Sequence, residues 1–156
     1  MKKIIYFFIL TFFLSTISFA QEKNIQVIDG DTIHIGKLKY RFFGIDALET
    51  KQICEKDNIK IQCGVIAKNV LKNKIANKIP ECVVKDKDRY QRLVAECFIG
   101  KESLSRFMVR EGYAVAYSQY SKNFIEDEKY AKENKLGIWS MNFQIPSEYR
   151  KSLRNK

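Results

Sequence analysis

From Ile25 to Ile45 apolar and polar positions alternate, and Asp29-Gly30 and Gly36-Lys37 interrupt the run. A period of two in β-branched and aromatic residues, broken by turn formers, predicts three short strands. Between Gln62 and Asn77 the period changes. Ile66, Ala67, Val70, Leu71 and Ile75 recur at helical spacing among lysines and asparagines, which predicts an amphipathic helix lying on the sheet. Strands resume at Cys82-Val83-Val84 and from Leu93 to Ile99. A second helix is expected from Ser103, an N-cap residue, through Leu104, Phe107 and Met108 to Gly112, which can take the left-handed position after the helix. A third covers about Phe124 to Asn134, ends near Gly137 and delivers Ile138-Trp139 as apolar anchors. The last dozen residues are polar and basic and are expected to fray. Five strands and three helices make an α+β protein, mainly β: a five-stranded barrel capped by three α-helices, with ligands meeting one barrel face.

The N-terminus follows a different pattern. Met1-Lys2-Lys3 precedes an apolar run from Ile4 to Phe13 and a mixed stretch ending Ser18-Phe19-Ala20. A basic start, a short apolar run and small residues before the cut describe a secretory signal removed ahead of Gln21. The run is too short for a bilayer, which demands roughly 20 apolar residues. Residues 1–20 are therefore read as signal peptide and 21–156 as a single domain. The formal charge of +10 drops by two with Lys2 and Lys3. A small protein this basic attracts polyanions, either nucleic acid or an anionic surface.

An exported chain places Cys54, Cys63, Cys82 and Cys97 in an oxidising compartment, where disulfides are the default. Spacing alone permits three connectivities. Cys82 and Cys97 flank a hairpin centred near Arg89-Tyr90 and face each other across it, which leaves Cys54 for Cys63. A zinc site is disfavoured, since there is no CxxC pair and the only histidine is His34.

Acidic side chains bracket the early strands: Asp31 in Asp29-Gly30-Asp31-Thr32, then Asp46 and Glu49 in Gly44-Ile45-Asp46-Ala47-Leu48-Glu49. A hairpin about Gly36-Lys37 returns the chain from Asp31 to Asp46, so these carboxylates can converge. Two aspartates, a backbone carbonyl and water would suit Ca²⁺ or Mg²⁺. Solvated acids at turns are the bland alternative. Arg41 stands inside Tyr40-Arg41-Phe42-Phe43, where a strand otherwise packs apolar groups, and a guanidinium there can fork onto a phosphate or pair with an acid. Arg92 follows the hairpin tip Asp88-Arg89-Tyr90-Gln91.

Three segments in order, Val27-Ile28-Asp29-Gly30-Asp31-Thr32, then Arg41 to Glu49, then Asp88-Arg89-Tyr90-Gln91-Arg92, resemble the site motifs of the thermonuclease, or staphylococcal nuclease-like, family. Gly112-Tyr113-Ala114-Val115-Ala116-Tyr117 and the stretch from Ala131 to Gly137-Ile138-Trp139 are similar to its C-terminal half. The resemblance implies an OB-type barrel and a Ca²⁺ ion on Asp31, Asp46 and the Ala47 carbonyl. It implies Glu49 as general base or water-orienting group, Arg41 and Arg92 on the phosphate, and Arg89, Tyr90 and Tyr117 against the nucleotide. It further implies cleavage of DNA or RNA to 3′-phosphate ends. The signal segment places the protein in the periplasm or outside the cell, and with nothing in the sequence arguing for an oligomer a monomer is expected. Leu48 stands where the family usually has proline, and Gln91 where it has glycine, so the first turn lacks a ring constraint. The competing functions are a non-catalytic OB module that binds nucleic acid, and a disulfide-stapled module that binds anionic envelope material through its lysines.

Overall fold

The computed structural model describes residues 24–155, so the signal segment expected at 1–20 lies outside it. The alternating stretch folds as β1 (Ile25–Val27), β2 (Thr32–Ile35) and β3 (Leu38–Phe42), an antiparallel meander, and β4 (Ile45–Ala47) follows at once. The β2–β3 turn consists of Gly36 and Lys37, and Gly36 takes φ 59°. A two-residue hairpin demands that left-handed value, and glycine meets it without steric cost.

Two further strands, β5 (Cys54–Lys56) and β6 (Ile59–Ile61), form a hairpin in a stretch to which the sequence pattern assigned no element. Asp57 and Asn58 turn it with φ 51° and 63°, the left-handed pair that Asp and Asn tolerate best after glycine. Next come α1 (Cys63–Ile75), β7 (Glu81–Lys87), β8 (Leu93–Ile99), β9 (Glu102–Ser103), α2 (Leu104–Arg110), β10 (Ala114–Ala116) and α3 (Ile125–Glu133). A 3-10 turn (Gly137–Ser140) and α4 (Pro146–Arg154) close the chain. The main sheet has the order β1-β2-β3-β8-β7, with β9 on β8, and only β3 and β8 run parallel. β10 pairs with β4 apart from this sheet. The main sheet has six strands with β9 where a five-stranded barrel was expected, and no pairing among the described residues closes it into a ring.

The core explains the helix positions. Ala67, Leu71 and Ile75, four residues apart, bury one face of α1 against Val27, Ile33, Phe42, Leu104 and Met108. Ser103 caps α2 by accepting the Arg106 N–H at 3.3 Å. A second cluster gathers Leu48, Val115 and Ile138 around the Cys54–Cys63 disulfide, with Trp139, Met141, Phe143 and Ile145 packed on it. The other bond, Cys82–Cys97, joins residues directly opposed across β7 and β8. The described residues hold four α-helices instead of the expected three, because the tail expected to fray is α4. Buried Pro146 opens it at a position where the missing N–H costs nothing. It is held by ionic bonds to the acid pocket described below, so a reading that looks for an apolar stripe passes over it.

Candidate active site

Asp31 immediately precedes β2, and Thr32 pairs with Arg41 across β2–β3, so the return of the hairpin sets Asp31 beside the end of β3. The Phe42 N–H donates to the Asp31 carbonyl at 2.7 Å. The Asp31 carboxylate accepts the Ala47 N–H on Oδ2 at 2.6 Å and the Thr32 hydroxyl on Oδ1 at 3.0 Å. Arg41 then bridges the two aspartates: Nη1 lies 2.5 Å from Asp31 Oδ2, and Nη2 donates to Asp46 Oδ1 at 2.9 Å. The first contact is ionic without hydrogen-bond alignment. One guanidinium spans both carboxylates, so the acids expected to converge do so, and both are buried.

Close approaches fix the loop between them. A Cβ on Gly30 would meet the Ala47 side chain at 2.7 Å, and one on Gly64 would meet the Glu49 carbonyl oxygen at 1.8 Å. Glycine at these positions lets the Asp31 turn reach β4 and lets the start of α1 press against the backbone of Glu49. Leu48 is fully buried in the second cluster, so packing anchors the turn where proline is absent. Gln52, also buried, bonds back to Glu49: its Oε1 accepts the Glu49 N–H at 3.3 Å and its Nε2 donates to the Gln144 carbonyl at 2.5 Å. The side chain of Glu49 is about one third exposed, leaving its carboxylate at the mouth of the pocket.

The expected site residues omit Arg150, although it meets two of them. From α4 its Nη1 donates to Asp46 Oδ1 and to Glu49 Oε1, both at 3.0 Å, and its Nη2 to Asp46 Oδ2 at 2.9 Å. A separation of 104 residues hides that meeting from any local pattern. The available signal was Pro146 as a helix start, with a cationic position one turn later.

Arg92 is placed differently. Its Nε donates to Asp88 Oδ2 at 2.7 Å, and Asp88 Oδ1 accepts the N–H groups of Tyr90 and Arg92. Arg41 pairs with Val94 across β3–β8. Arg92 is two residues earlier, just ahead of β8. It touches neither aspartate. Tyr90 is 65% exposed between the guanidiniums of Arg89 and Arg92, which lie 5.0 and 5.5 Å from its ring. Tyr117 follows β10, donates its backbone N–H to the Gly44 carbonyl at 2.9 Å and stacks obliquely on Tyr120. Gln91 has φ 62°, a left-handed value that glycine takes without steric cost.

Burial dominates the electrostatics of the pocket. Burial raises the Asp31 carboxyl from its ordinary 3.8 to about 6, with Arg41 offsetting only part of this and Asp29 adding to it. Among the described residues no three His, Cys, Asp or Glu side chains gather closely enough to hold a metal alone. Two carboxylates one guanidinium apart, with backbone and water oxygens, still form the hard donor set that calcium or magnesium accepts. The residues present therefore fit a divalent ion.

Two buried aspartates bridged by one guanidinium, with a carboxylate three residues on, are groups of the kind that hydrolysis of an anionic ester calls for. A family model described as staphylococcal nuclease homologue matches residues 39–141. The chain is 30% identical over 162 residues to an uncharacterized endonuclease of Haemophilus influenzae, covering 96% of this chain and 86% of that protein. It is 33% identical over 130 residues to a thermonuclease of Staphylococcus hyicus, covering 76% and 75%. A succinoglycan biosynthesis protein, ExoI, of Rhizobium meliloti is 32% identical over 119 residues, covering 73% and 62%. This chain belongs to the staphylococcal nuclease homologue family, an OB-fold family, and is a nuclease with nucleic acid as its substrate.

Proposed function

We propose that the protein is an exported, calcium-dependent endonuclease that hydrolyses phosphodiester bonds of DNA, with RNA as an open second substrate, to 3′-phosphate ends. The observation that carries this is the Arg41 guanidinium spanning Asp31 and Asp46 in one buried pocket, with Glu49 at its mouth. Asp31, Asp46 and the Ala47 carbonyl hold the ion, which when bound supplies positive charge to the phosphoryl oxygens. Glu49 orients the attacking water and takes its proton, a contribution of roughly 10²–10⁴ in rate. Arg41 and Arg92 meet the charge that gathers on the phosphate oxygens. Asp88 engages Nε of Arg92 and leaves its planar Nη pair for that task. Arg89, Tyr90 and Tyr117 receive the nucleotide. Two disulfides support an oxidising location outside the cytoplasm, either secreted or periplasmic. No helix among the described residues is long and apolar enough to cross a membrane. The protein acts as a monomer.

The test is incubation of the oxidised protein with plasmid and single-stranded DNA, with calcium or with a chelator. Calcium-dependent cutting that leaves ends open to 5′-phosphorylation is expected. Retention of DNA without cutting would instead mark a non-catalytic binding module.

A further inference from the structure

Every carboxylate oxygen of Asp46 is engaged by an arginine. Oδ1 accepts from Arg41 Nη2 and Arg150 Nη1, and Oδ2 from Arg150 Nη2. Arg150 Nη1 also holds Glu49 Oε1. A divalent ion that takes Asp46 as a ligand needs one of those oxygens, and a carboxylate paired with a guanidinium is a weak proton acceptor. Oδ2 keeps a lone pair for the ion, but a divalent cation there would sit beside two guanidiniums, and like-charge repulsion favours release of one of them; the two are not equally free. Arg41 is fixed in β3 and its side chain is 15% exposed. Arg150 projects from a nine-residue terminal helix and its side chain is 39% exposed. The helix also lies beyond residue 141, where the family match stops. Resting on the reading of Asp31 and Asp46 as cation ligands, we propose that Arg150 is a built-in counter-ion of the active site. It holds Asp46 and Glu49 while the metal is away and is displaced when a divalent ion binds, so that α4 is a latch opened by calcium.

The docking of α4 supports a release that leaves the tail in place. Asn142 exchanges backbone hydrogen bonds with Glu55 of β5 at 2.8 and 2.9 Å, and Gln52 holds the Gln144 carbonyl. The Cys54–Cys63 bond closes the hairpin that receives Asn142. Those anchors lie before α4, so the Arg150 side chain can leave Asp46 and Glu49 without detaching the segment that carries it. What the latch trades is one cation for another: a monovalent guanidinium on a flexible stem against a divalent ion that both aspartates can share. Part of calcium's binding free energy is then spent on releasing Arg150.

The experiment is calcium titration calorimetry on the full chain and on R150A and R150Q, with melting temperatures in chelator and in saturating calcium. Asp46→Ala serves as the variant that removes the ion's ligand. Calcium should bind both Arg150 variants about tenfold more tightly than wild type, the scale of a half-exposed charge-assisted pair. Both variants should melt below wild type in chelator and level with it in saturating calcium. Equal calcium affinity in all three chains, with the same loss of melting temperature in both conditions, would make Arg150 a purely structural contact and overturn the latch. Weaker calcium binding in R150A, or unchanged calcium binding with lost affinity for a nucleotide analogue, would overturn it in favour of a supporting or phosphate-binding role. Failure of wild type and both variants alike to bind calcium would sink the metal site itself, and the latch with it.

Discussion

Asp31 and Asp88 each sit beside an arginine, yet their carboxyl pKa values move in opposite directions. Asp31 lies in the pocket between β2 and β4, where burial lifts it to about 6 in spite of Arg41. Asp88 lies at the β7–β8 tip. Burial alone would raise it too, but the backbone and side chain of Arg92 and the N–H of Tyr90 hold it below the ordinary value. The tip is electrostatically complete by itself. The pocket packs two aspartates and Glu49 against guanidiniums and still does not settle Asp31. In the pocket burial outweighs the pairing, and at the tip the pairing outweighs burial.

That comparison breaks most visibly at Glu49 and Asp46. Glu49→Gln should retain calcium binding while turnover falls by roughly 10²–10⁴, because the amide cannot take the proton of water. Asp46→Ala should lose calcium binding outright. Calorimetry beside initial rates on DNA separates the two, and loss of calcium affinity in the Glu49 variant would make Glu49 a metal ligand. At the tip, Arg92→Lys keeps the charge but loses the fork to phosphate and the Nε bond to Asp88. Turnover should drop about 10²-fold, with little change in calcium affinity. Wild-type rates in that variant would take Arg92 out of the site.

A smaller effect is expected from Asp31 through pH. Its folded pKa, about 6, stands above the ordinary 3.8, so the folded protein binds this proton more tightly than the unfolded chain. The associated stability is fully present below about pH 4 and is lost as pH rises through 6. In chelator, Asp31→Asn should therefore gain melting temperature relative to wild type between pH 4 and pH 7, and calcium should reverse the ranking at pH 7. A pH-independent difference would mean that Asp31 is not raised. The smallest effect belongs to Gln91, whose φ of 62° strains an L-residue by about 1 kcal/mol. Gln91→Gly should stabilise the tip by no more than that, measured by chemical denaturation, and should leave calcium affinity alone. A change in calcium binding there would couple two regions that the structure keeps apart.

Much of the site was legible because it is local. Asp31, Arg41, Asp46 and Glu49 fall within nineteen residues, and one hairpin with a two-residue turn is enough to fold them together. The Cys82–Cys97 bond was legible for the same reason, since the two residues flank one hairpin, although it takes a register shift between Val84 and Asp86 to bring them directly opposite. The helices α1, α2 and α3 showed in their apolar spacing and in the Ser103 cap. The β5–β6 hairpin escaped notice, although Asp57-Asn58 carries the turn chemistry, because the flanking strands are only three residues each.

The sequence by itself determined what short-range sterics and periodicity determine: the meander, the helix faces, the cysteine pairing across β7–β8, and the residue types that can hold a cation and a phosphate. Only the tertiary structure decided that Leu48 anchors the turn by burial, that Gln52 ties Glu49 to the tail, and that α4 puts Arg150 onto Asp46. Those contacts join positions far apart in the chain. Their free energy comes from burial and from charges meeting in a pocket of low polarity, and neither exists until the chain has closed around it.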